Sequence, residues 1–201
     1  INVGLVGSEM CIRDSSDVLP HPLVNSISCD KDGNIYVCTL SGIAIFDGTS
    51  WEAITSQNSI ITSHVNEVVF DDDNTAYVGT INGLFKINGG DISILLDSSS
   101  LEPNFINVRC LGFKGDSLCI GTVNGGLGYL YNGNISWYNS ANGLIDNTST
   151  DLIIDSQNLW ITAPYGGLIS HLTTGSFINF NTGFFSAVSY THLRAHETHI
   201  D

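Results

Sequence analysis

Basic residues are scarce in this sequence: its 201 residues include 6 Lys and Arg against 20 Asp and Glu, giving a formal net charge of −14. Binding to nucleic-acid phosphates or to an anionic membrane surface depends on clustered Lys and Arg, so the composition argues against both partners. No stretch approaches the roughly 20 consecutive apolar residues that a membrane-spanning helix requires. We therefore expect no nucleic-acid partner and no membrane insertion of this segment.

Motifs of catalytic and metal sites are also missing. The sequence contains no Cys-x-x-Cys pair, no Cys and His cluster with zinc spacing and no Gly-x-Ser-x-Gly turn. Asp71, Asp72 and Asp73 lack the further oxygen ligands of a calcium loop, and we interpret them as a turn. We expect no catalytic residue, no metal and no cofactor here. An active site assembled from residues far apart in the sequence would escape this test.

Strong helix-forming residues are few, while Gly, Asn, Asp and Ser recur about every dozen residues. Short apolar segments separated by such turn residues predict an all-β protein.

The two ends of the chain stand apart from the rest. Residues 4–15 read GLVGSEMCIRDS and residues 187–198 read AVSYTHLRAHET. Back-translation shows that one DNA segment, read in opposite orientations, encodes both. That segment resembles the adapter of transposase-made sequencing libraries; an inverted repeat flanking the gene is the alternative. We therefore interpret residues 1–15 and 187–201 as adapter-derived and residues 16–186 as natural protein.

Four near-copies of one pattern fill this central segment. Tyr36, Tyr77, Cys119 and Trp160 occupy equivalent positions with spacings of 41, 42 and 41 residues. The copies read DKDGNIYVCTLSGI, DDDNTAYVGTINGL, KGDSLCIGTVNGGL and DSQNLWITAPYGGL. A period of about 40 residues with several short strands per copy is typical of β-propeller blades. We place the four blades at about residues 18–58, 59–100, 101–143 and 144–186.

The second copy shows how one blade is built. Its predicted strands are 64–70, 75–80, 84–87 and 92–96, joined by turns at 71–74, at Asn82–Gly83 and at 88–90. In the other copies an aromatic residue, Trp51, Trp137 or Phe177, starts the outer strand and is expected to cover the seam with a neighbouring blade. Because the faces of a blade are too apolar to stand alone, four blades that form an open piece of a larger ring should aggregate or associate when expressed alone. A closed ring of four blades is the alternative.

The hairpin between Cys110 and Cys119 raises the question of a disulfide. A turn centred near Gly115 would place the two cysteines opposite each other, which allows a cross-strand bond. We favour the alternative of two buried thiols that act as small apolar side chains. Cys29 and Cys38 also flank a hairpin, but a turn at Asp32–Gly33 puts them out of register.

The segments NSISCDKDGNIYVCTLSGIAIFDGTSW and GLIDNTSTDLIIDSQNLWITAPYGGL carry a family resemblance. They resemble the two-component regulator propeller repeat of bacteria, whose pattern D-G-N-L-W-I-G-T precedes a short turn and G-G-L. The chain departs from it where Tyr36, Tyr77 and Cys119 replace the Trp, and where Thr162 and Ala163 replace Gly-Thr. The resemblance implies a ring of about seven blades, of which this segment supplies four, and a periplasmic or extracellular location.

Propeller sites form where loops of successive blades meet at one end of the central axis. The turns between the second and third strands place Ser41, Asn82, Asn124 and Tyr165 there, and the loop into the second blade adds His64 and Asn66. Such amide, hydroxyl and aromatic groups suit a small polar ligand such as an oligosaccharide. The alternative reading is that Asn is simply a favourable turn residue.

Three functions remain open. The resemblance implies the ligand-sensing part of a bacterial hybrid histidine kinase, with the missing blades of the same chain as its neighbours. A secreted or cell-surface propeller for attachment or secretion-system assembly is the first alternative. A propeller lyase or hydrolase with its active site in the missing blades is the second.

Overall fold

A computed structural model describes residues 18–57, 59, 61, 64–97, 106–155, 158–164, 169–173 and 176–180, with side chains described outside 169–173. Apart from one short 3-10 helix, Ser140–Asn142, the regular structure in these ranges is β-strand. No helix within them is long and apolar enough to span a membrane. The predicted adapter-derived ends lie outside the described residues.

Four antiparallel sheets of four strands follow one another along the chain, each in simple sequence order, which confirms the predicted propeller blades. Blade 1 contains β1 (Val24–Cys29), β2 (Ile35–Thr39), β3 (Gly42–Phe46) and β4 (Trp51–Ile54). Blade 2 contains β5 (Val65–Phe70), β6 (Ala76–Thr80), β7 (Gly83–Asn88) and β8 (Asp91–Leu96). Blade 3 contains β9 (Val108–Lys114), β10 (Ser117–Thr122), β11 (Leu127–Tyr131) and β12 (Asn134–Tyr138). Blade 4 contains β13 (Asp151–Ile154), β14 (Leu159–Thr162), β15 (Ile169–Thr173) and β16 (Ser176–Phe180).

The tight turn between the second and third strands depends on a buried threonine. In blade 2 the Thr80 hydroxyl donates to the carbonyl of Gly83 at 3.0 Å and accepts the backbone N–H of Asn82 at 3.1 Å. Thr39 makes the same pair of bonds in blade 1, and Thr122 donates to the carbonyl of Gly126 in blade 3. All three threonines are buried, so these turns close without exposing the hydroxyl to water.

Replacing this hydroxyl tests its contribution. We expect Thr80→Val to lower the free energy of unfolding by about 2 kcal/mol, because valine keeps the volume but leaves polar backbone groups without their partner. Thr49→Val is the control: Thr49 is exposed, its hydroxyl donates to Asp47, and we expect a loss under about 1 kcal/mol. Urea unfolding of both variants measures the difference, and equal losses would contradict the assigned role.

Each seam between blades holds one apolar core. The first core contains Ile43 of blade 1 and Val68 of blade 2, the second Leu84 of blade 2 and Leu111 of blade 3, and the third Leu127 of blade 3 with Leu159 of blade 4. Along the second strand of each blade, successive side chains point alternately toward the preceding and the following blade. The second strands of two neighbouring blades therefore both contribute residues to the seam between them. Stacking the blades thus buries faces that a single sheet would expose.

Two details of the predicted blade need correction. The third strand of blade 2 begins at Gly83 rather than after it, so the turn is Ile81–Asn82. Trp137 is not equivalent to Trp51 and Phe177, because pairing within the sheets places Ile135 at their position. Trp137 lies two residues further on, beside Gly128, and packs on the core between blades 2 and 3. The missing side chain of Gly128 leaves the space for the indole.

The four cysteines among the described residues are free thiols. The β9–β10 turn is Gly115–Asp116, which pairs Cys110 with Gly121 and Cys119 with Gly112. The two thiols are therefore offset by two residues rather than opposite, and the geometry for the considered disulfide is absent. Both are buried, as the favoured alternative expects, and Cys29 and Cys38 are out of register.

Candidate ligand-binding site

The innermost strands of the four blades converge on one axis. β1 contacts β5, β5 contacts β9, and β9 contacts β13. In the first three blades the register shifts near the start of this strand, which leaves Asn25, Asn66 and Arg109 as unpaired bulge residues. A β-bulge bends the strand and turns a side chain away from its regular direction.

A cavity of about 300 Å³ lies at these bulges. Each blade contributes two adjacent residues to its wall: Asn25 and Ser26, Asn66 and Glu67, Arg109 and Cys110, and Thr150 and Asp151. The cavity wall is polar, with two carboxylates, two amides, two hydroxyls, a thiol and a guanidinium. A wall of this kind offers one small ligand hydrogen-bond donors and acceptors from all four blades.

The two bulge asparagines also tie neighbouring blades together. The side-chain amide of Asn25 donates to the carbonyl of Val65 at 2.8 Å, and that of Asn66 donates to the carbonyl of Val108 at 2.7 Å. The same bond therefore runs from blade 1 to blade 2 and from blade 2 to blade 3. These residues brace the cavity wall as well as lining it.

Arg109 breaks this pattern. It stands at the bulge of blade 3, where an asparagine would brace the next blade, and it forms no ion pair with any carboxylate of the described residues. Its side chain is exposed and lines the cavity. A guanidinium at the axis, without an ion-pair partner among the described residues, can bind a ligand through two parallel hydrogen bonds.

The cavity wall also carries a carboxylate, that of Glu67. Its side chain accepts the backbone N–H of Leu111 at 2.6 Å, which links blades 2 and 3. Burial raises the pKa of the Glu67 carboxyl above its ordinary value, the Leu111 N–H opposes that shift, and the charge of Asp151 adds to it. Burial likewise raises the pKa of the Cys110 thiol, which keeps the cavity's sulfur protonated at neutral pH.

Three of the predicted site residues lie in turns at the same end of the axis but outside the cavity wall. Ser41 and Asn82 are exposed, and their backbone N–H groups bond to Thr39 and Thr80. Asn124 adopts a positive φ of 71° and exchanges hydrogen bonds with Thr148. Their positions at the rim agree with the predicted convergence of loops, and whether they bind a ligand stays a prediction.

The two predicted site residues of the loop into blade 2 lie in different places. His64 is exposed, and its carbonyl accepts the N–H of Ile81, which places it beside the β6–β7 turn. Asn66 alone among the six predicted residues lines the cavity. Tyr165 lies outside the described residues.

The cavity wall contains three residues that were not predicted from the sequence: Glu67, Arg109 and Asp151. The sequence does contain a signal: Val-Asn-Ser, Val-Asn-Glu and Val-Arg-Cys stand at equivalent places, and in each a polar residue follows the valine that begins the strand. The bulge that turns these polar side chains toward the axis is not visible in an alternating pattern.

The acidic run at residues 71–73 forms a turn, as predicted. The Asp71 carboxylate accepts the backbone N–H groups of Asp73 and Thr75. Within the described ranges no three His, Cys, Asp or Glu residues are arranged to hold a metal ion.

Solved structures with the same fold include extracellular domains of two-component systems and a lyase. The chain is 24% identical to the extracellular domain of the hybrid two-component system BT3049 from B. thetaiotaomicron, with a TM-score of 0.69 over 81% of this chain and 25% of that one. For the corresponding domain of BT4673 the values are 21%, 0.65, 77% and 21%. For a streptogramin B lyase they are 13%, 0.66, 81% and 56%.

These likenesses show the fold, and the chain spans about a quarter of the two extracellular domains. No protein-family model and no curated protein matches the sequence.

Proposed function

We propose that this chain is part of the ligand-sensing propeller of a bacterial two-component sensor, located in the periplasm or outside the cell. The axial cavity carries the proposal, because all four blades contribute polar residues to one space of about 300 Å³. The likeness to extracellular sensor domains and the resemblance of the repeats support it. The chain's further blades complete the ring in this account.

The ligand we propose is a small polar molecule such as a mono- or oligosaccharide. Sugar hydroxyls donate to carboxylates such as Glu67 and Asp151 and accept from the Arg109 guanidinium, so a wall that mixes both kinds of group matches their chemistry. The rim residues Ser41, Asn82 and Asn124 would contact the parts of a longer ligand that extend beyond the cavity.

Binding rather than chemistry is the proposed role. The Cys110 thiol stays protonated at neutral pH, and the half-buried Glu67 already accepts the Leu111 N–H. Because the lyase shares the fold, turnover of any bound sugar must be measured alongside binding.

A calorimetric screen of neutral, amino and acidic mono- and disaccharides tests the site. We expect one class to bind, and Arg109→Ala to weaken that binding about 10- to 100-fold, because hydrogen bonds to a charged group are lost. Asn82→Ala, at the rim, is the matched control and should retain affinity for a monosaccharide. A binding sugar that is insensitive to Arg109→Ala would overturn the axial site.

The sensor role has a separate test. Sequencing the uninterrupted gene across both ends should reveal more 41-residue repeats, a membrane helix and a histidine kinase. A sorting domain without a kinase would instead favour the secreted or surface propeller.

A further inference from the structure

Each of the two carboxylates on the wall of the axial cavity uses one oxygen for a backbone N–H. Glu67 Oε2 accepts the N–H of Leu111 at 2.6 Å, and Asp151 Oδ1 accepts that of Leu152 at 2.8 Å. The second oxygen of each carboxylate has no donor among the described residues, and neither carboxylate forms an ion pair with them. One cavity wall thus carries two carboxylate oxygens that lack a hydrogen-bond partner.

The two carboxylates also lie close enough to repel each other. Burial is the largest cause that raises the pKa of the Glu67 carboxyl, and the charge of Asp151 adds to it. Beyond burial, the charges of Glu67 and Asp151 both raise the pKa of the Cys110 thiol on the same wall. A cation bound by both carboxylates would relieve this repulsion. The arrangement lies within the consecutive blades 2, 3 and 4, so it does not depend on the blades that complete the ring.

Arg109 does not supply that cation. It stands on blade 3, between the blades of the two carboxylates, yet its guanidinium pairs with neither of them. Two carboxylates and one guanidinium give the cavity wall a net charge of −1 when all three are ionised. The wall therefore favours a ligand with a positive group over a ligand with a negative one.

An amino group is the positive group that a sugar can carry. A protonated amine has three N–H donors and no acceptor, so it matches the carboxylate oxygens of Glu67 and Asp151. The Arg109 guanidinium also only donates, so it matches the hydroxyl and ring oxygens of the same sugar. Hydrogen bonds between charged partners are about twice as strong as those between neutral ones. N-acetylation removes the positive charge of the amine and leaves a single N–H.

We propose that the axial cavity selects a sugar with a free, protonated amino group, held by the carboxylates of Glu67 and Asp151 while Arg109 binds the sugar's oxygens. This assignment rests on the sugar-binding function proposed above and names the class of sugar.

Calorimetric titration with matched sugars tests the selection. Glucosamine, galactosamine and mannosamine are each compared, at neutral pH, with the N-acetyl form and with the parent hexose. We expect at least one hexosamine to bind about 10-fold more tightly than both of its uncharged counterparts, because charge-assisted hydrogen bonds replace neutral ones. Glucuronate, which carries a carboxylate instead, should bind more weakly than that hexosamine.

Two variants locate the amine. Asp151→Asn and Glu67→Gln remove one charge but keep the size of the side chain and an oxygen for the backbone N–H. Each should reduce the preference for the amine to about 3-fold or less. Asp91→Asn is the control, because Asp91 is an exposed residue at the start of the outer strand of blade 2 and its loss changes the net charge equally. This variant should keep the full preference.

The outcomes separate this proposal from the function on which it rests. Equal affinity for a hexosamine and its N-acetyl form, or tighter binding of glucuronate, would overturn the selection of an amine; if Arg109→Ala still weakens that binding, the axial sugar site stands. Binding of none of these sugars would overturn both. A preference that survives Asp151→Asn and Glu67→Gln would contradict the placement of the amine. Unchanged affinity for the N-acetyl form shows that each variant is folded.

Discussion

Gly83→Ala should destabilise the protein by about 3 kcal/mol or more, because the new methyl group has no space and the backbone conformation disfavours it. Gly83 has a φ of 141°, and a Cβ there would overlap the carbonyl oxygen of Leu96 on the adjacent outer strand. Gly42 and Gly126 occupy the same position in blades 1 and 3, against the carbonyls of Ile54 and Tyr138. Equilibrium unfolding in urea measures the loss.

Gly33→Ala separates the two causes. Gly33 has a φ of 88°, yet a Cβ there would meet no atom within 4 Å. This control should therefore cost only the conformational strain, about 1 to 2 kcal/mol. If Gly83→Ala cost no more than Gly33→Ala, the close approach of the outer strand to this glycine would be wrong.

Stability should fall steeply above pH 9 because three thiols are buried. Burial raises the pKa of Cys38 to about 12 and that of Cys119 to about 11, and it raises the pKa of Cys110 as well. The unfolded chain then releases thiol protons from about pH 8.5 upward, whereas the folded chain keeps them. The contribution of these buried thiols to stability is fully present below the pKa that they have in the unfolded chain. It is lost as the pH rises toward their pKa values in the folded chain.

The expected size follows from linkage. Each thiol that ionises only in the unfolded state lowers the free energy of unfolding by about 1.4 kcal/mol per pH unit, so three lower it by about 3 to 4 kcal/mol between pH 9 and 10. Urea midpoints at those two pH values measure this. The variant Cys38→Ala/Cys110→Ala/Cys119→Ala should be less stable at pH 7 and should lose much less stability over the same interval. The loss that remains comes from Tyr36, Tyr77 and Tyr129, whose pKa values burial also raises. Parallel pH profiles would show that the thiols are not the cause.

The blades were predictable because turn chemistry and period agree. Gly83 and its equivalents recur where only glycine fits, and the anchor residues Tyr36, Tyr77, Cys119 and Trp160 all lie at one register position of the second strand. The predicted start of the third strand differed from the observed one by a residue. A glycine with positive φ is typical of a turn, although here it pairs within the strand.

The packing of Trp137 and the wall of the cavity were harder to predict from the sequence. Trp137 was aligned with the wrong residues because its place depends on the absent side chain of Gly128, which only the paired strand reveals. The rim turns were predicted from loop position, and their role in binding stays a prediction. The cavity wall, in contrast, follows from bulges at Asn25, Asn66 and Arg109. An extra residue in a short strand leaves the spacing of the repeats nearly unchanged, so the turning of these side chains toward the axis stays hidden.

A crystal structure of the chain with the best-binding sugar of the screen tests the central claim most directly. We expect ligand density in the axial cavity, within hydrogen-bond distance of Arg109 and of Glu67 or Asp151. Density confined to the rim turns at Ser41, Asn82 and Asn124, or away from the axis, would contradict the assignment of the cavity as the binding site.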